Sequence, residues 1–269
     1  MQTISDQEFG QFQRFIFEAA GINLSPAKKA LVTGRLSKRL HACGTQTYGA
    51  YFALLKSGGH AEEVQTAIDL LTTNETYFFR EPRHFELLAS AFGGDNAQRR
   101  GPQPVRAWSA ASSSGEEAYS IAMVLKDCLR GGAFEVIGTD ISTRMLQRAR
   151  TGHYPEQRTR QIPQEYLKRY CLKGRGAQEG TLLVDRGVRE HVHFTHANLN
   201  ADLPELGQFD VAFLRNVLIY FNGETKRQVV ERVLSRIKPG GWLYIGHSES
   251  LHGLALPVQQ VMPSVYRKP

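Results

Sequence analysis

The stretch from Val105 to Ser120 combines the residue types that a ligand-binding turn needs. It reads VRAWSAASSSGEEAYS: a short apolar run, then very small residues, then two carboxylates that open a helical pattern. We interpret it as a strand, a turn and the start of a helix, the part of an α/β domain that usually binds a cofactor. Because the side chains of Ala110 to Gly115 are small, a ligand could contact the backbone there, next to unpaired N–H groups of the helix.

A second candidate is the acid that ends the following strand. Glu135 to Ile141 (EVIGTDI) predicts a strand ending in Asp140, where an acidic side chain can accept hydrogen bonds from a ribose diol. The alternative is that Asp140 merely caps a helix beginning near Ser142. The chain contains neither GxGxxG nor GxxxxGK, which disfavours a pyrophosphate ligand. A nucleoside-type ligand without a phosphate chain fits both candidates, and S-adenosylmethionine is the common one.

Composition limits the class of protein. The chain has 269 residues, 41% of them hydrophobic, which suffices for one large or two modest domains. Its formal net charge of +7 favours an acidic partner: nucleic acid, an anionic surface or an acidic protein. Three widely spaced cysteines, Cys43, Cys128 and Cys171, indicate neither a disulfide framework nor a zinc site. With no secretory signal pattern and no apolar run near ~20 residues, we expect a cytoplasmic protein without membrane insertion.

Residues 1–72 predict a helical N-terminal domain with a basic second helix. Apolar residues recur at helical spacing from residue 4 to residue 71, and Ser5 and Glu8 have capping-box spacing. The second helix, Ser25 to His41, carries cations and no acid. Four of its cations fall within one arc beside the apolar stripe: Lys28, Arg35, Lys38 and Arg39. The arc could dock an acidic helix, or it could be an ordinary solvated face.

Residues 73–104 predict a linker that carries part of the site. Thr73 to Glu86 (TNETYFFREPRHFE) places aromatic residues and an arginine beside short polar residues. The aromatics could simply seal the domain interface. Arg80 is a site candidate because a guanidinium among aromatic rings needs a partner, and its planar fork suits a carboxylate. A polar loop, Gly93 to Pro104, leads into the first strand.

Residues 105–269 predict an α/β domain interrupted by a small antiparallel β-subdomain at 160–193. Within it, TLLVD and VREHVHFTHANL show strand-like alternation around a DRG turn. His191 and His193 would point to one strand face and His196 to the other, so we expect no metal site there.

The parallel fold is expected to resume with a strand at Phe209 to Asn216. A helix from Gly223 to Ile237, a stop at Pro239 to Gly241 and a strand from Trp242 to His247 follow, and then a terminal pair of strands toward Val265.

Four segments carry a resemblance to a known family. In chain order they are TNETYFFRE, SAASSSGEEAYSIA, FLRNVLIYF and GHSES, and they follow a basic helical domain. In this order and spacing they resemble the chemotaxis receptor methyltransferases, the CheR family, essentially from end to end. The family commonly has Pro after the paired glutamates, where this chain has Ala118, and a different set of small residues at Ser112 to Ser114. These exchanges should spare the cofactor turn.

The resemblance implies a Rossmann-like S-adenosylmethionine-dependent methyltransferase domain, with a doubly wound, mainly parallel sheet, after an all-α N-terminal domain. It implies methyl transfer to glutamate side chains of chemoreceptors, with S-adenosylhomocysteine as the second product. The residues that it places beside the transfer site are Arg80 and Tyr220. The cofactor contacts that it implies are Asn74, Thr76, Arg80, Glu117, Asp140, Asn198, Leu199, Arg215 and Asn216.

Several roles are specified further by the resemblance. Asp140 would hold the ribose, Asn198 and Leu199 would lie by the adenine, and Glu116 or Glu117 would meet the cofactor's ammonium group. Receptor methylation segments would be acidic helices, which suits the basic arc of the second helix. The inserted β-subdomain resembles one that grips a receptor C-terminal peptide in some members.

The expected chemistry needs no general base, because a glutamate carboxylate is already ionised at neutral pH. Arg80 and the Tyr220 hydroxyl would position the acceptor rather than activate it, since a strong ion pair would blunt its nucleophilicity. Two alternatives remain. A nucleic-acid methyltransferase fits the basic charge, although the chain lacks a Pro-Pro-aromatic motif for holding a base. A non-catalytic module that binds S-adenosylmethionine is the other.

Overall fold

The computed structural model describes residues 3–96 and 103–269. Residues 97–102 of the polar loop that the sequence predicts at 93–104 lie outside the described residues. Among the helices of the described ranges, none has the length and apolar character needed to span a membrane.

The N-terminal domain is a bundle of four helices, as the apolar spacing predicts. They are α1 (Asp6–Ala20), α2 (Lys29–Ala42), α3 (Tyr48–Lys56) and α4 (Ala61–Leu71). The expected capping box is present, because the Ser5 hydroxyl accepts from the Glu8 N–H while the Glu8 carboxylate accepts from the Ser5 N–H. The second helix differs at its start, where Pro26–Lys28 form a separate 3-10 turn and Ser25 makes no side-chain capping bond.

The rest of the described chain alternates helices and strands. Its helices are α5 (Arg83–Phe92), α6 (Glu116–Cys128), α7 (Thr143–Thr151), α8 (Gln164–Tyr170), α9 (Arg186–Arg189) and α10 (Gly223–Ser235). Its strands are β1 (Val105–Ala110), β2 (Phe134–Asp140), β3 (His153–Pro155), β4 (Cys171–Lys173), β5 (Thr181–Val184), β6 (Val192–His196), β7 (Phe209–Leu214), β8 (Ile237–Ile245), β9 (Gln259–Met262) and β10 (Val265–Arg267).

Seven strands form one sheet in the order β6-β2-β1-β7-β8-β10-β9. The first five are parallel, whereas β10 is antiparallel to both β8 and β9. Alternate residues of β1 enter apolar cores on opposite faces, Val105 and Ala107 on one and Trp108 and Ala110 on the other. This arrangement confirms the predicted doubly wound sheet. Its strand order reverses between β1 and β7, where open α/β sheets bind ligands.

A second, three-stranded antiparallel sheet has the order β3-β5-β4. It occupies residues 153–184, whereas the sequence predicts a subdomain at 160–193. The prediction that VREHVHFTHANL pairs with TLLVD in a hairpin is wrong. The Asp185 side chain accepts from the Gly187 N–H and starts α9, and the next strand, β6, pairs with β2 in parallel within the main sheet.

The helix end and stop near Pro239 also differ from the prediction. Helix α10 ends at Ser235, and β8 already begins at Ile237, so the Pro-Gly-Gly segment lies inside a strand. A register shift opposite Phe209 to Val211 accommodates it. At Gly241 a Cβ atom would approach the Lys238 carbonyl oxygen to 2.9 Å, so the bulge requires glycine there.

The helical domain is fixed on the rim of the main sheet by polar contacts. The buried Asp69 carboxylate of α4 accepts from the backbone N–H groups of Thr143 and Arg144, each at 3.1 Å, and thereby caps α7. The Asn198 side chain, just after β6, donates to the Ala19 carbonyl at the end of α1. The helical domain thus forms one wall over the strand ends.

Candidate functional site

A cleft of about 940 Å³, including solvent at its opening, lies where β1, β2, β6 and β7 end. The ten residues predicted for the site all line it: Asn74, Thr76, Arg80, Glu117, Asp140, Asn198, Leu199, Arg215, Asn216 and Tyr220. Apolar side chains complete the wall, namely Ile22, Phe85, Ile141, Leu199, Val217 and Phe221. The fold therefore gathers residues from six separate stretches of the sequence around one space.

The structure distinguishes between the two adjacent glutamates. Glu117 lines the cleft, where its carboxylate accepts from the Ser109 hydroxyl at 2.7 Å and pairs with Arg215 at 3.0 Å. The Glu116 side chain is completely buried on the other side of the turn and pairs with Arg158. Only Glu117 is therefore placed to contact a ligand in the cleft.

The turn between β1 and α6 has an unusual backbone. Ala111, Ser113 and Gly115 have φ angles of 66°, 48° and 94°, in the left-handed region. This region is costly for residues with a Cβ, and it persists only where surrounding contacts enforce it. The Ser113 N–H donates to Asp140 at 2.8 Å, and its hydroxyl donates to the Asn74 carbonyl at 3.0 Å. The turn is thus tied to the acid of β2 and to the linker.

Asp140 is not the N-cap of the following helix. Ser142 occupies that position, and its hydroxyl accepts from the Met145 N–H. The Asp140 carboxylate instead accepts from the N–H groups of Ser113 and Ser142, each at 2.8 Å, and it lines the cleft. Burial raises the pKa of Asp140 to about 6 despite these two hydrogen bonds. Each carboxylate oxygen retains a lone pair for a further donor.

A buried guanidinium at the end of β7 joins the linker to α6. The Arg215 side chain is fully buried and pairs with Glu81 at 2.9 Å and with Glu117 at 3.0 Å. Burial favours a higher pKa for Glu81, but the charge and hydrogen bonds of Arg215 hold it below its usual value. At Glu117 burial prevails and raises the pKa. The Arg215 Nε is buried without a hydrogen-bond partner in the described ranges.

Arg80 and Tyr220 both line the cleft, although Arg80 binds a backbone carbonyl where the sequence suggested a carboxylate. Arg80 donates to the Glu75 carbonyl at 3.1 Å and lies 5.6 Å from the centre of the Tyr77 ring, while the adjacent carboxylate of Glu81 binds Arg215 instead. Tyr220 ends a 3-10 turn rather than a strand. Burial raises the pKa of its hydroxyl, which is therefore a donor at neutral pH.

Two supporting acids escaped the sequence reasoning. Glu81 has φ of 57° and holds Arg215, while Asn216, with φ of 58°, donates its backbone N–H to the buried Glu249 carboxylate at 2.9 Å. Glu249 also accepts from the Gly246 N–H at 2.7 Å. Glu81 lies in FFRE and Glu249 in GHSES, which belong to the segments that carry the family resemblance. Membership of these segments was therefore a signal that the two acids have a role. Arg215 and Asn216, to which these acids bind, lie far from them in sequence, and no periodic pattern reveals such pairs.

One group of side chains behind the cleft resembles a metal-ligand set. The candidate ligand atoms of Glu81, His84 and His247 all lie within 4.8 Å of one another. However, the same Glu81 oxygen pairs with Arg215, and burial together with Arg215 lowers the pKa of His84 to about 3. A second cation would have to displace a buried guanidinium from its carboxylate. We therefore assign this group to the support of Arg215.

The cleft provides groups that match a nucleoside cofactor with an amino-acid tail. Asp140 offers acceptors for a diol, Glu117 offers a charge for an ammonium group, and the Arg215 Nε lacks an acceptor. The apolar wall beside Asn198 and Leu199 suits an aromatic base. A doubly wound sheet with this cleft at its switch point defines the class of Rossmann-like, S-adenosylmethionine-dependent methyltransferases.

Comparison with known proteins specifies the family. Residues 7–72 match the family model for the CheR methyltransferase all-alpha domain, and residues 74–266 match that for the CheR methyltransferase SAM binding domain. The chain belongs to the CheR methyltransferase family, and S-adenosylmethionine is its cofactor.

Curated relatives agree over nearly the whole chain. A chemotaxis protein methyltransferase of Escherichia coli (strain K12) is 41% identical, covering 93% of this chain and 87% of the relative. Chemotaxis protein methyltransferase 2 of Pseudomonas aeruginosa (strain PAO1) is 37% identical, covering 97% of this chain and 92% of the relative.

We predict that cofactor affinity depends on the ionisation of Asp140. Because its pKa is raised, Asp140 takes up a proton as the pH falls through about 6, and a protonated carboxyl offers a ribose diol a poorer acceptor. Affinity for S-adenosylhomocysteine should fall about tenfold between pH 7.5 and pH 5. At pH 7.5, Asp140→Ala should weaken binding by about 1–3 kcal/mol. Isothermal titration calorimetry measures both effects.

Asp140→Asn is the control for this titration, since Glu117 also has a raised pKa and can contribute to the profile. The difference between the pH dependence of affinity in the unaltered chain and in Asp140→Asn gives the contribution of Asp140 alone. A wild-type affinity that is equal at both pH values would contradict the assignment.

Proposed function

We propose that this protein acts in the cytoplasm, where it transfers the methyl group of S-adenosylmethionine to glutamate side chains of chemoreceptors. The observation that carries the choice of acceptor is the composition of the cleft. Among its described lining residues there is no histidine and no cysteine, the carboxylates of Glu117 and Asp140 already accept from protein donors, and the third acid, Glu75, is exposed. An amine acceptor would need a base to remove its proton, whereas a carboxylate is already ionised.

The residues of the cleft act by binding and orienting. When bound, S-adenosylmethionine supplies an electrophilic methyl group on its sulfonium sulfur. Asp140 and Glu117 would hold its ribose and ammonium groups, and the wall beside Leu199 would hold its base. Arg80 and the protonated Tyr220 hydroxyl offer donors to the acceptor carboxylate. Arg80 has donors only, and the Tyr220 hydroxyl stays protonated at neutral pH, so both position the oxygen without taking a proton.

We propose that the basic arc of α2 docks the receptor, but with fewer free cations than the sequence suggests. Arg39 is paired with Glu63 inside the bundle, and Arg35 donates to the Thr72 carbonyl at 2.8 Å at the end of α4. Lys28 and Lys38 are exposed. Burial, and after it the positive charge of Arg144, lower the pKa of Arg35. Arg35 brings its charge beside Thr72, which lines the cleft, and together with Lys28 and Lys38 it would attract an acidic helix.

We also propose β4 as the strand that receives a receptor C-terminal segment, in receptors that carry one. Strand β4 lies at an edge of the small sheet, and its Leu172 is 53% exposed. An open edge next to an exposed apolar side chain is the arrangement that peptides use to add a strand. Leu172→Asp should lower methylation of receptors with that segment and leave receptors truncated before it unaffected.

The proposed function is tested with S-adenosylmethionine that carries a tritiated methyl group. The protein is incubated with chemoreceptor-containing membranes, and the labelled product is treated with base. Carboxyl methyl esters release volatile methanol under these conditions, whereas N-methyl groups do not. Label that resists base, or that enters RNA or DNA instead, would favour a nucleic-acid or amine methyltransferase. Cofactor binding without transfer to any acceptor would indicate a non-catalytic module.

We predict that Arg80→Lys lowers kcat about tenfold or more while changing cofactor affinity by less than about threefold. Lysine keeps the charge but loses the planar fork that would align the acceptor. Initial rates at saturating cofactor, together with calorimetric affinities, separate the two effects. Arg83→Lys is the matched control, because Arg83 lies three residues away and pairs with the exposed Glu86. Equal losses of kcat and affinity would make Arg80 a cofactor ligand only.

We predict that Lys28→Glu and Lys38→Glu, combined, raise the KM for receptor several-fold at low ionic strength and less at high ionic strength. Exposed charges affect the rate at which enzyme and receptor meet and the way they align, and salt screens these effects. Arg35 and Arg39 are unsuitable probes, since their bonds to Thr72 and Glu63 contribute to folding. The measurement is the initial methylation rate against receptor concentration at two salt concentrations.

Arg130→Glu serves as the control for this charge reversal. Arg130 follows the C-terminal end of α6, on the side of the sheet where β2 begins. The cleft lies on the other side, where the strands end. An unchanged receptor KM in the lysine variant at low salt, or an equal change in Arg130→Glu, would contradict docking on α2.

A further inference from the structure

The turn between β1 and α6 has two sides, and the small sheet contacts one of them. Ser113 and Glu117 face the cleft. Ser114 and Glu116 are buried and bind residues of β3 and the turn that follows it. The cofactor side of the turn is therefore held against a surface that the small sheet provides.

Two side chains of the small sheet make these contacts. Tyr154, on β3, is buried and donates its hydroxyl to the Ser114 carbonyl at 2.7 Å. Arg158, directly after β3, donates to the Glu116 carboxylate at 2.9 Å and to the Ser114 hydroxyl at 3.2 Å. The Ser114 hydroxyl in turn donates to Glu116 at 2.7 Å. The Ser114 carbonyl, the Ser114 hydroxyl and the Glu116 carboxylate thus each have a partner on β3 or in the turn that follows it.

Close packing reinforces the polar contacts. At Gly115, a Cβ atom would lie 3.1 Å from the Tyr154 hydroxyl oxygen and 2.8 Å from the Ala149 Cβ. The Tyr154 ring also packs edge to face with the Phe78 ring, with 4.9 Å between the ring centres. Tyr154 therefore contacts the linker as well as the turn. The turn has no room to relax backward while Tyr154 is in place.

The left-handed residues of the turn explain why such support is needed. Ala111 and Ser113 carry a Cβ in a conformation that is unfavourable for residues with a side chain, so an unsupported turn would relax. Relaxation would move the Ser113 N–H away from Asp140 and shift Glu117 at the first turn of α6. Both acids belong to the cofactor site.

We propose that the small sheet positions the cofactor turn, with Tyr154 and Arg158 as the positioning residues. Neither residue lines the cleft, so they act through Ser114 and Glu116. The small sheet then has a role in cofactor binding that is separate from any role in receptor docking. The inference rests on the cofactor site of the proposed function, but it does not depend on which acceptor is methylated.

The test uses calorimetric binding of S-adenosylhomocysteine to the full chain at a temperature where every variant is folded. Tyr154→Phe and Arg158→Gln should each weaken binding at least fivefold, and Arg158→Lys should recover part of the loss because it retains the charge. Urea unfolding of the same variants reports stability separately.

Two matched controls separate positioning from general stability. Tyr119→Phe removes an equally buried hydroxyl that donates to a backbone carbonyl, that of Ala149 at 2.8 Å, in the same aromatic group. Arg160→Gln makes the same change as Arg158→Gln two residues further along, at an exposed site. Both controls should bind within about twofold of the unaltered chain, even where Tyr119→Phe lowers stability as much as Tyr154→Phe does.

Binding within twofold in both Tyr154→Phe and Arg158→Gln would overturn the proposal, and so would an equal loss in Tyr119→Phe. A failure of the unaltered chain to bind S-adenosylhomocysteine would overturn the proposed function together with this inference. Normal binding with no methyl transfer would leave the positioning role standing and contradict the proposed function alone.

Discussion

Burial of one guanidinium constrains the whole active region. The Arg215 side chain has no exposed surface, so its charge must be neutralised inside the protein, and Glu81 and Glu117 do this at its two terminal nitrogens. Glu81 belongs to the linker and Glu117 to the first turn of α6. Once both acids are bound to Arg215, the linker, the first helix after β1 and the end of β7 have fixed relative positions. The cofactor cleft is the space among these three segments.

Much of the remaining backbone strain follows from this arrangement. Of the eight non-glycine residues with positive φ in the described ranges, five flank the cleft: Phe79, Glu81, Ala111, Ser113 and Asn216. Each lies in a segment that must bring a polar group to a defined place, and neighbouring buried groups enforce the conformation. Glu249 fixes Asn216, Asp140 fixes Ser113, and the small sheet supports the turn from behind. The geometry of the cleft is thus maintained in part by residues that do not line it, such as Glu249 and Tyr154.

Local patterns in the sequence predicted the fold well. Helical spacing predicted the N-terminal helical bundle, the alternation of strands and helices predicted the α/β domain with its parallel sheet, and the family resemblance added that the sheet is doubly wound. The local patterns failed at VREHVHFTH because the period-two pattern is shared by a hairpin strand and by β6, which pairs with a distant strand. Only tertiary pairing with β2 distinguishes the two, and that information is not local.

Motif resemblance gave the expected site residues, which all line one cleft, but not the contacts that support them. Residues such as Asp140 and Glu117 stand at strand and helix ends, which the sequence marks. The pairing of Glu81 with Arg215, or of Arg158 with Glu116, joins residues that no periodicity relates. The same limit applies to α2, where composition shows Arg39 as a free cation although Glu63 neutralises it. A charge count along one helix cannot reveal a partner on another.

The most direct test of this account is the free energy of unfolding in urea for two variants. Arg215→Met leaves Glu81 and Glu117 buried without a cation and should lower it by roughly 3–5 kcal/mol. Adding Glu81→Gln and Glu117→Gln to that variant removes the unpaired charges and should restore a large part of the loss. If Arg215→Met unfolds at the wild-type urea concentration, or if neutralising both acids restores nothing, the buried guanidinium does not organise the site as we describe.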